Sequence, residues 1–331
     1  HLLSRRQRQM CIRDRAIMNL KQYDLEPDYS NLFKVAGQDS KEIILAVQYV
    51  NSTLELGTIG QMYNNGDGGW SSIVPTQNLV DTYEMADGLT KEESGSYDPN
   101  HPFAGRDPRM AMTIIYPGMD WNGTVVNTLD KTINGKDNAN YPPSANNASK
   151  TALTWRKYLD EQYANGIWNT NACPIVIRYA EVLLTYAEAV NELSGPSADV
   201  YDKLDLIRGR VGMPKVDREK YASKETLRRL IRRERGVELA GEGVRRADIL
   251  RWKDDNGKMV AETVLNGVLE RVVGTVNYAE TDPTKRAEID TNAPATDKKI
   301  EDRVFKVHNR YNPIPQGAID NNPNLEQNPG Y

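Results

Sequence analysis

Two consecutive helix-forming segments in the middle of the chain constrain its fold more than any other feature. The first places apolar residues on one face at helical spacing, namely Ile177, Ala180, Leu184 and Ala187. The second repeats that spacing after a break at Gly195 and Pro196, with Val200, Leu204, Ile207 and Val211. Together, residues 178–211 span 34 positions, the length of one tetratricopeptide-like repeat. Such a repeat buries its apolar faces only against neighbouring elements. The spacing favours two interpretations of where those neighbours come from equally. The partner helices belong to sequence outside this chain, or the hairpin packs on other elements.

Shorter patterns add further elements around this hairpin. Ser223 is placed to cap a third helix, and the apolar positions that this helix would bury are Leu227, Leu230, Ile231 and Val237. Two shorter helices are predicted at residues 247–252 and 155–164, and strands at residues 42–49 and 112–116.

The distribution of these elements divides the chain into regions. We predict a loop-rich binding region at about residues 51–172, a helical scaffold at about 174–253 and an extended region at 254–331. Loops this long within a compact domain are usually functional. The sequence therefore predicts a mainly α fold in which tetratricopeptide-like helical hairpins carry long irregular loops and a few short strands.

The first fifteen residues differ from the rest of the chain. They hold five arginines and one aspartate, and without them the net charge falls from −4 to −8. Residues 4–15 resemble translated sequencing-adapter read-through, so residues 1–15 are interpreted as a non-native segment; a basic amphipathic arm is the alternative. The remaining acidic chain, with no basic stripe interleaved with aromatics, argues against a nucleic-acid partner.

Catalytic and metal-binding motifs are scarce. The only histidines are His1, His101 and His308, and no two have metal-ligand spacing. Glu234 and Glu238 lie one helical turn apart and would suit a glycosidase if they flanked a substrate. Because arginines crowd the same segment, an ion-paired lattice that fastens helices is the favoured interpretation. A structural role is likewise favoured for the charged residues in 106–109.

Four stretches of the chain, in order, carry a family resemblance. They are residues 75–88 with 106–109 and 113–118, residues 177–192 with 207–214, residues 231–252, and residues 312–316 with 322–331. Together they resemble the SusD/RagB family of outer-membrane nutrient-binding lipoproteins. On this resemblance, residues 16–331 correspond to the C-terminal portion of a single SusD-like domain whose N-terminal part is missing.

The resemblance implies a glycan receptor and not an enzyme. It implies an outward-facing lipoprotein of the cell outer membrane, anchored by a lipid on the missing N-terminus and needing no cofactor. It also implies a partner, a SusC-like TonB-dependent outer-membrane transporter, to which the captured oligosaccharide is delivered. Two alternatives stay open: a RagB-like receptor that binds peptides, and a glycoside hydrolase that uses Glu234 and Glu238.

Sugar binding requires flat apolar rings beside amide or carboxylate groups, and two loops offer both. In the first, Trp70 is the expected stacking platform, with Asn64 and Asp67 as hydroxyl partners. In the second, the expected ligand-binding residues are Tyr116, Asp120 and Trp121. We expect Trp155, Trp168 and Trp252 to pack on helices, and residues 141–143, Tyr-Pro-Pro, to form a rigid loop wall.

Overall fold

A computed structural model describes residues 2–143, 146–163 and 166–331, with side chains described from Arg8 onward. Its helices, in chain order, are α1 Leu2–Asn19, α2 Gln77–Thr82, α3 Pro108–Thr113, α4 Tyr179–Ser194, α5 Ala198–Arg210, α6 Lys224–Glu238, α7 Arg245–Arg251, α8 Val260–Val264, α9 Ala295–Lys298 and α10 Gln316–Asn321. Short 3-10 turns occupy Asn31–Phe33, Val35–Gly37, Thr58–Gln61, Asn65–Asp67, Glu161–Tyr163 and Val307–Arg310.

The strands are short and form antiparallel pairs. They are β1 Ile43–Ala46, β2 Ile114–Ile115, β3 Asp120–Trp121, β4 Thr124–Val125, β5 Thr132–Ile133, β6 Lys136–Asp137, β7 Thr154–Trp155, β8 Ile175–Arg178, β9 Gly267–Glu270, β10 Gly274–Val276, β11 Ala287–Ile289 and β12 Lys299–Arg303. The pairs are β1 with β8, β2 with β7, β3 with β4, β5 with β6, β9 with β12 and β10 with β11. Because β1 pairs with β8, the strand that precedes the loop-rich region lies beside the strand that leads into α4.

The end of α4 and the caps of α5 and α6 lie where the sequence predicts. α4 stops at Gly195, whose φ of 80° favours glycine, and Ser197 caps α5. The Ser223 hydroxyl accepts a hydrogen bond from the backbone N–H of Thr226 at 3.1 Å and so caps α6. Their facing sides share a buried core of Leu183, Leu184, Ala187, Leu204, Ile207, Leu227 and Leu230. The helical hairpin is confirmed, and its membership of a tetratricopeptide-like array stays a prediction.

The start of that hairpin and the element near residue 155 differ from expectation. Ile177 was expected on the apolar face of a helix, but it lies in β8 and is partly exposed. The helix at residues 155–164 is wrong within the described residues, because Trp155 pairs with Ile114 in a strand; Ala164 lies outside them. The expected strand at 112–116 is reduced to β2, since Pro108 and the capping carboxylate of Asp107 start a helix just before it.

A hydrophobic core lies mainly within the loop-rich region and also includes Val237 of α6, Val276 of β10 and Ala287 of β11. Its buried members include Tyr63, Tyr83, Phe103, Met110, Ile114, Tyr116, Trp121 and Leu153. Because these side chains come from every part of residues 51–172, the loops fold together into a packed layer. The polar segments that the sequence suggested as loose chain are therefore held in fixed positions.

Residues 2–19 form a helix that packs on α4. Cys11 is buried beside Tyr186 and Ala189, and the guanidinium of Arg15 donates to the Tyr186 hydroxyl at 2.6 Å. The non-native origin of residues 1–15 stays a prediction. Within the described residues, no helix combines the length and apolar character needed to cross a bilayer.

A buried network of ion pairs fastens the loop layer to the helices. Its cations are Arg109, Lys157, Arg178, Arg208, Arg210 and Arg233, and its anions are Glu42, Glu84, Asp107, Glu234, Glu238 and Glu242. Six positive and six negative charges balance within it, which offsets the cost of burying each of them. Glu234 and Glu238 are ion-paired as the favoured interpretation expected, but their partners come from α3, β8 and α5 and not from the arginines of their own segment.

Candidate functional site

The loop that carries Trp70 is built on a tight 3-10 turn. The Asn64 side chain caps this turn by accepting from the backbone N–H of Asp67 at 2.9 Å, and Gly68 ends it with a φ of 82°. Next to the turn, Tyr63 is fully buried and its hydroxyl donates to the carbonyl of Asp160 at 3.1 Å. The loop is thereby anchored on one side and turns Trp70 outward, with 51% of the residue exposed.

Trp70 is paired with a second tryptophan from a distant part of the chain. The ring centroids of Trp70 and Trp168 lie 4.6 Å apart with an interplanar angle of 54°. The Trp168 indole N–H donates to the carbonyl of Gly68 at 3.3 Å, and its ring lies over Gly60, where a Cβ atom would be 2.4 Å from the ring. Only glycine leaves room for this approach. The two rings contact each other at a tilt, Trp70 exposed and Trp168 partly buried, and we call them the tryptophan pair.

Trp168 was expected to pack on a helix of the scaffold, and that expectation is wrong. Instead it covers the 3-10 turn Thr58–Gln61 and reaches Trp70. No periodicity in the sequence links two tryptophans that far apart, although each lies in a Gly- and Asn-rich stretch. Trp252, by contrast, is buried against α4, where its indole N–H donates to Glu188 at 2.8 Å.

Trp121 and Tyr116 do not present exposed rings. Trp121 is 4% exposed, and Tyr116 is 2% exposed and stacked on Phe103 at 4.6 Å between centroids. Their expected role as stacking platforms is therefore corrected, because a ligand cannot reach rings that form part of the loop core. The Trp121 indole N–H donates to the Asp67 carboxylate at 3.0 Å and so positions the turn beneath the tryptophan pair.

The polar residues expected to meet sugar hydroxyls fall into two groups. Asn64 is buried, and its amide N–H₂ donates to the Asp67 carboxylate at 2.7 Å, so it serves the turn and not a ligand. Burial raises the pKa of Asp67, and hydrogen bonds from Trp121, Asn122 and Asn64 partly offset that rise. Asp120 is exposed and pairs with Arg286 at 2.7 Å. Of these groups, Asp120 is open to solvent, Asp67 is partly covered and Asn64 is not accessible.

The turn also touches the segment that leads to the predicted loop wall. The Asn65 amide donates to the carbonyl of Ala139 at 2.7 Å, and the backbone N–H of Gly66 donates to the Asn140 side chain at 2.7 Å. Because Asn140 precedes Tyr141, the structure joins two loops that the sequence treated separately.

Glu234 and Glu238 do not form an accessible pair of acids. Both are buried: Glu234 contacts Arg109 and Arg208, and Glu238 contacts Arg109, Arg178 and Arg210. Burial alone would raise the pKa of Glu238, but these guanidinium groups outweigh it and hold the pKa well below its usual range. A general acid must be protonated and must reach the glycosidic oxygen, so this pair does not suit that role. In the part of the chain that the structure describes, no cluster of His, Cys, Asp and Glu has the arrangement of a metal site.

A helical scaffold locked by buried charges carries a packed loop layer, on which Trp70 is exposed beside a partly buried Trp168. This arrangement has the architecture of a binding protein. The chain belongs to the SusD family, whose sequence model matches residues 41–331.

Similar proteins support the family and the fold. A crystal structure of a SusD-like carbohydrate binding protein from Bacteroides fragilis is 30% identical with a TM-score of 0.78, covering 98% of this chain and 62% of that one. A second SusD-like protein from Bacteroides fragilis is 26% identical with a TM-score of 0.73, covering all of this chain and 63% of that one. SusD-like protein P25 of Formosa agariphila is 28% identical over 71% of this chain and 44% of its own length. The chain thus spans about half to two thirds of the length of these relatives.

Proposed function

We propose that this chain is the ligand-binding portion of a surface glycan receptor, a lipoprotein that captures oligosaccharide and delivers it to a TonB-dependent outer-membrane transporter without hydrolysing it. One observation carries the proposal, namely the tryptophan pair, in which the exposed Trp70 contacts a partly buried Trp168. Indole faces cover the apolar C–H side of a pyranose ring and lose little side-chain entropy on binding.

Family membership and one similar protein of known structure support the ligand class. The Bacteroides fragilis protein that is 30% identical is described as carbohydrate binding. Because this chain covers 62% of that protein, the lipid anchor, the outward-facing position in the outer membrane and the SusC-like partner are proposed for the full-length protein.

The residues around the tryptophan pair take different roles in this proposal. Trp70 and Trp168 stack on the sugar. Asp67, Asn64 and Trp121 hold the turn beneath them through the hydrogen bonds at 2.7–3.0 Å. The binding surface is therefore preorganised, which lowers the entropic cost of taking up a ligand.

Glycan binding by purified protein tests the proposal directly. We expect a glycan array to show binding and pools of peptides to show none. Calorimetric titration with the glycan so identified should lose at least about tenfold in affinity for Trp70→Ala and for Trp168→Ala, because each removes a stacking ring. Trp70→Phe should retain part of the affinity.

Tyr311→Ala is the matched control, since Tyr311 is 48% exposed, close to the value for Trp70, and lies in the C-terminal region. If both tryptophan variants bind as tightly as the wild type, the tryptophan pair is not the site. Binding of peptides alone would replace sugar by peptide as the ligand. Release of reducing sugar by the wild type, lost in a Glu238→Gln variant that circular dichroism shows to be folded, would establish the hydrolase instead.

A further inference from the structure

A groove of about 350 Å³ begins at Tyr141, the residue after Asn140, which bonds to the tryptophan loop, and the proposed function does not yet use this groove. Its lining includes Tyr141, Pro142 and Pro143, which we call the first wall, and Arg271, Val272 and Val273, which we call the second wall. The groove therefore combines an aromatic ring, two prolines and a guanidinium group, which are complementary to the two faces of a sugar ring.

Both walls are held rigidly by the backbone. On the first wall, the Asn138 side chain donates to the carbonyls of Asn127 and Asp130 at 2.9 and 2.8 Å, and the backbone N–H of Tyr141 donates to the carbonyl of Asn138 at 3.1 Å. The two prolines that follow fix their own φ angles. The wall predicted from the Tyr-Pro-Pro sequence thus exists as one side of a groove.

The second wall links two strand pairs. Arg271 follows β9, and its backbone N–H donates to the carbonyl of Lys298 at 2.9 Å. The carbonyl of Val273, just before β10, accepts from the backbone N–H of Asp290 at 2.8 Å. A groove between two such walls keeps its shape before a ligand arrives, which favours binding.

The guanidinium of Arg271 is free to serve a ligand. Among the residues that the structure describes, no ion pair or side-chain hydrogen bond involves it, although Asp297 lies in the same groove. Its planar set of N–H donors fits the paired oxygens of a sugar ring. Asp297 is exposed and supplies an acceptor at the rim.

Hydrogen bonds join the loop that leads into the groove to the loop that carries Trp70. Asn65 and Gly66, which belong to the Trp70 loop, bond to Ala139 and Asn140, and Tyr141 is the next residue. A chain extends by no more than about 3.6 Å per residue. The short segments from Gly66 to Trp70 and from Asn140 to Pro142 therefore keep Trp70 and Pro142 within about 30 Å of each other. That separation suits two parts of one oligosaccharide.

We propose that this groove is a second subsite, in which another sugar unit of the same glycan chain stacks on Tyr141 and bonds to Arg271. This inference rests on the proposed function and makes the receptor selective for long chains, since a short oligosaccharide occupies the tryptophan pair alone. Binding at two linked places raises affinity through effective concentration.

The test compares chain lengths. Calorimetric titrations use disaccharide and octasaccharide members of malto-, cello-, xylo- and laminari-oligosaccharide series with the wild type, Tyr141→Ala, Arg271→Gln and Trp70→Ala. For the series that binds, we expect the wild type to bind the octasaccharide at least about tenfold more tightly than the disaccharide. Tyr141→Ala and Arg271→Gln should lose that gain and keep the disaccharide affinity, and Trp70→Ala should weaken both.

Tyr141→Phe keeps the ring and should keep the gain, and Tyr311→Ala should behave as the wild type. Thermal unfolding shows that each variant is folded. Equal affinity of the wild type for both lengths, or an undiminished gain in Tyr141→Ala and Arg271→Gln, overturns the second subsite and leaves the tryptophan pair in place. Absence of binding to every series, together with an empty glycan array, overturns the proposed function itself.

Discussion

Replacement of Glu238 by Gln is the sharpest test of the buried ion network. The substitution keeps the size and shape of the side chain but removes a charge that contacts Arg109 at 3.0 Å, Arg178 at 2.7 Å and also Arg210. Glu238 is fully buried, so water cannot replace the lost interaction.

The expected cost follows from the charges that remain. Removing one partner of a buried pair costs about 3–5 kcal/mol, because an uncompensated charge is left behind. Each of the three arginines keeps another carboxylate: Arg109 keeps Asp107 and Glu234, and Arg178 and Arg210 both keep Glu42. We therefore expect a loss near the lower end of that range, about 3 kcal/mol.

Urea unfolding followed by tryptophan fluorescence and by circular dichroism measures this loss. With a slope of about 1–3 kcal/mol per M, the midpoint should fall by about 1 M or more. Coincident transitions in the two signals show that a single free energy of unfolding applies.

Glu301→Gln is the matched control, because Glu301 is exposed on β12 and should change stability by no more than about 0.5 kcal/mol. If Glu238→Gln is as stable as this control, the network does not hold the loop layer on the helices. Our account of how the tryptophan pair is positioned would then be wrong.

Three further outcomes follow from the structure. The wild type should lose stability as the pH falls below about 4.3, the pKa of Glu in the unfolded chain. The pKa of Glu238 in the folded protein is lower, so its contribution to the free energy of unfolding is complete above that pH and declines as the pH falls toward the folded pKa. Urea midpoints measured along an acid titration should decline less for Glu238→Gln than for the wild type. Trp121→Phe removes the donor to Asp67 and should cost about 1–3 kcal/mol in urea unfolding, while a loss no greater than that of Trp70→Phe would contradict its positioning role. Ser223→Ala removes the cap of α6 and should lower stability by about 1 kcal/mol, with Ser223→Thr as the control that retains a hydroxyl; equal stability of all three proteins would rule out the cap.

Much of the helical scaffold could be predicted from the sequence because its signals are local. The break at Gly195, the cap at Ser223 and the apolar spacing of Leu184, Leu204 and Leu230 act within a few residues of chain. The family resemblance likewise depended on local stretches, and the match over residues 41–331 confirms it.

The site could be predicted only in part. Trp70 is exposed, as the sequence suggested for an aromatic residue in a loop next to Gly and Asn. Trp121 has a similar sequence setting but is buried. Composition is alike around both rings, so exposure depends on which loops pack above them. Trp168 was missed as a partner because a contact between such distant residues leaves no periodic signal.

The sequence by itself determined the main helices of the scaffold, the charged segment that would be paired and the family, since each depends on the order of neighbouring residues. Only the tertiary structure decided which tryptophans reach the surface, which twelve charges balance one another in the interior, and which two loops form a groove. Those properties depend on contacts between residues far apart in the chain, and burial and charge balance are set by the whole set of such contacts.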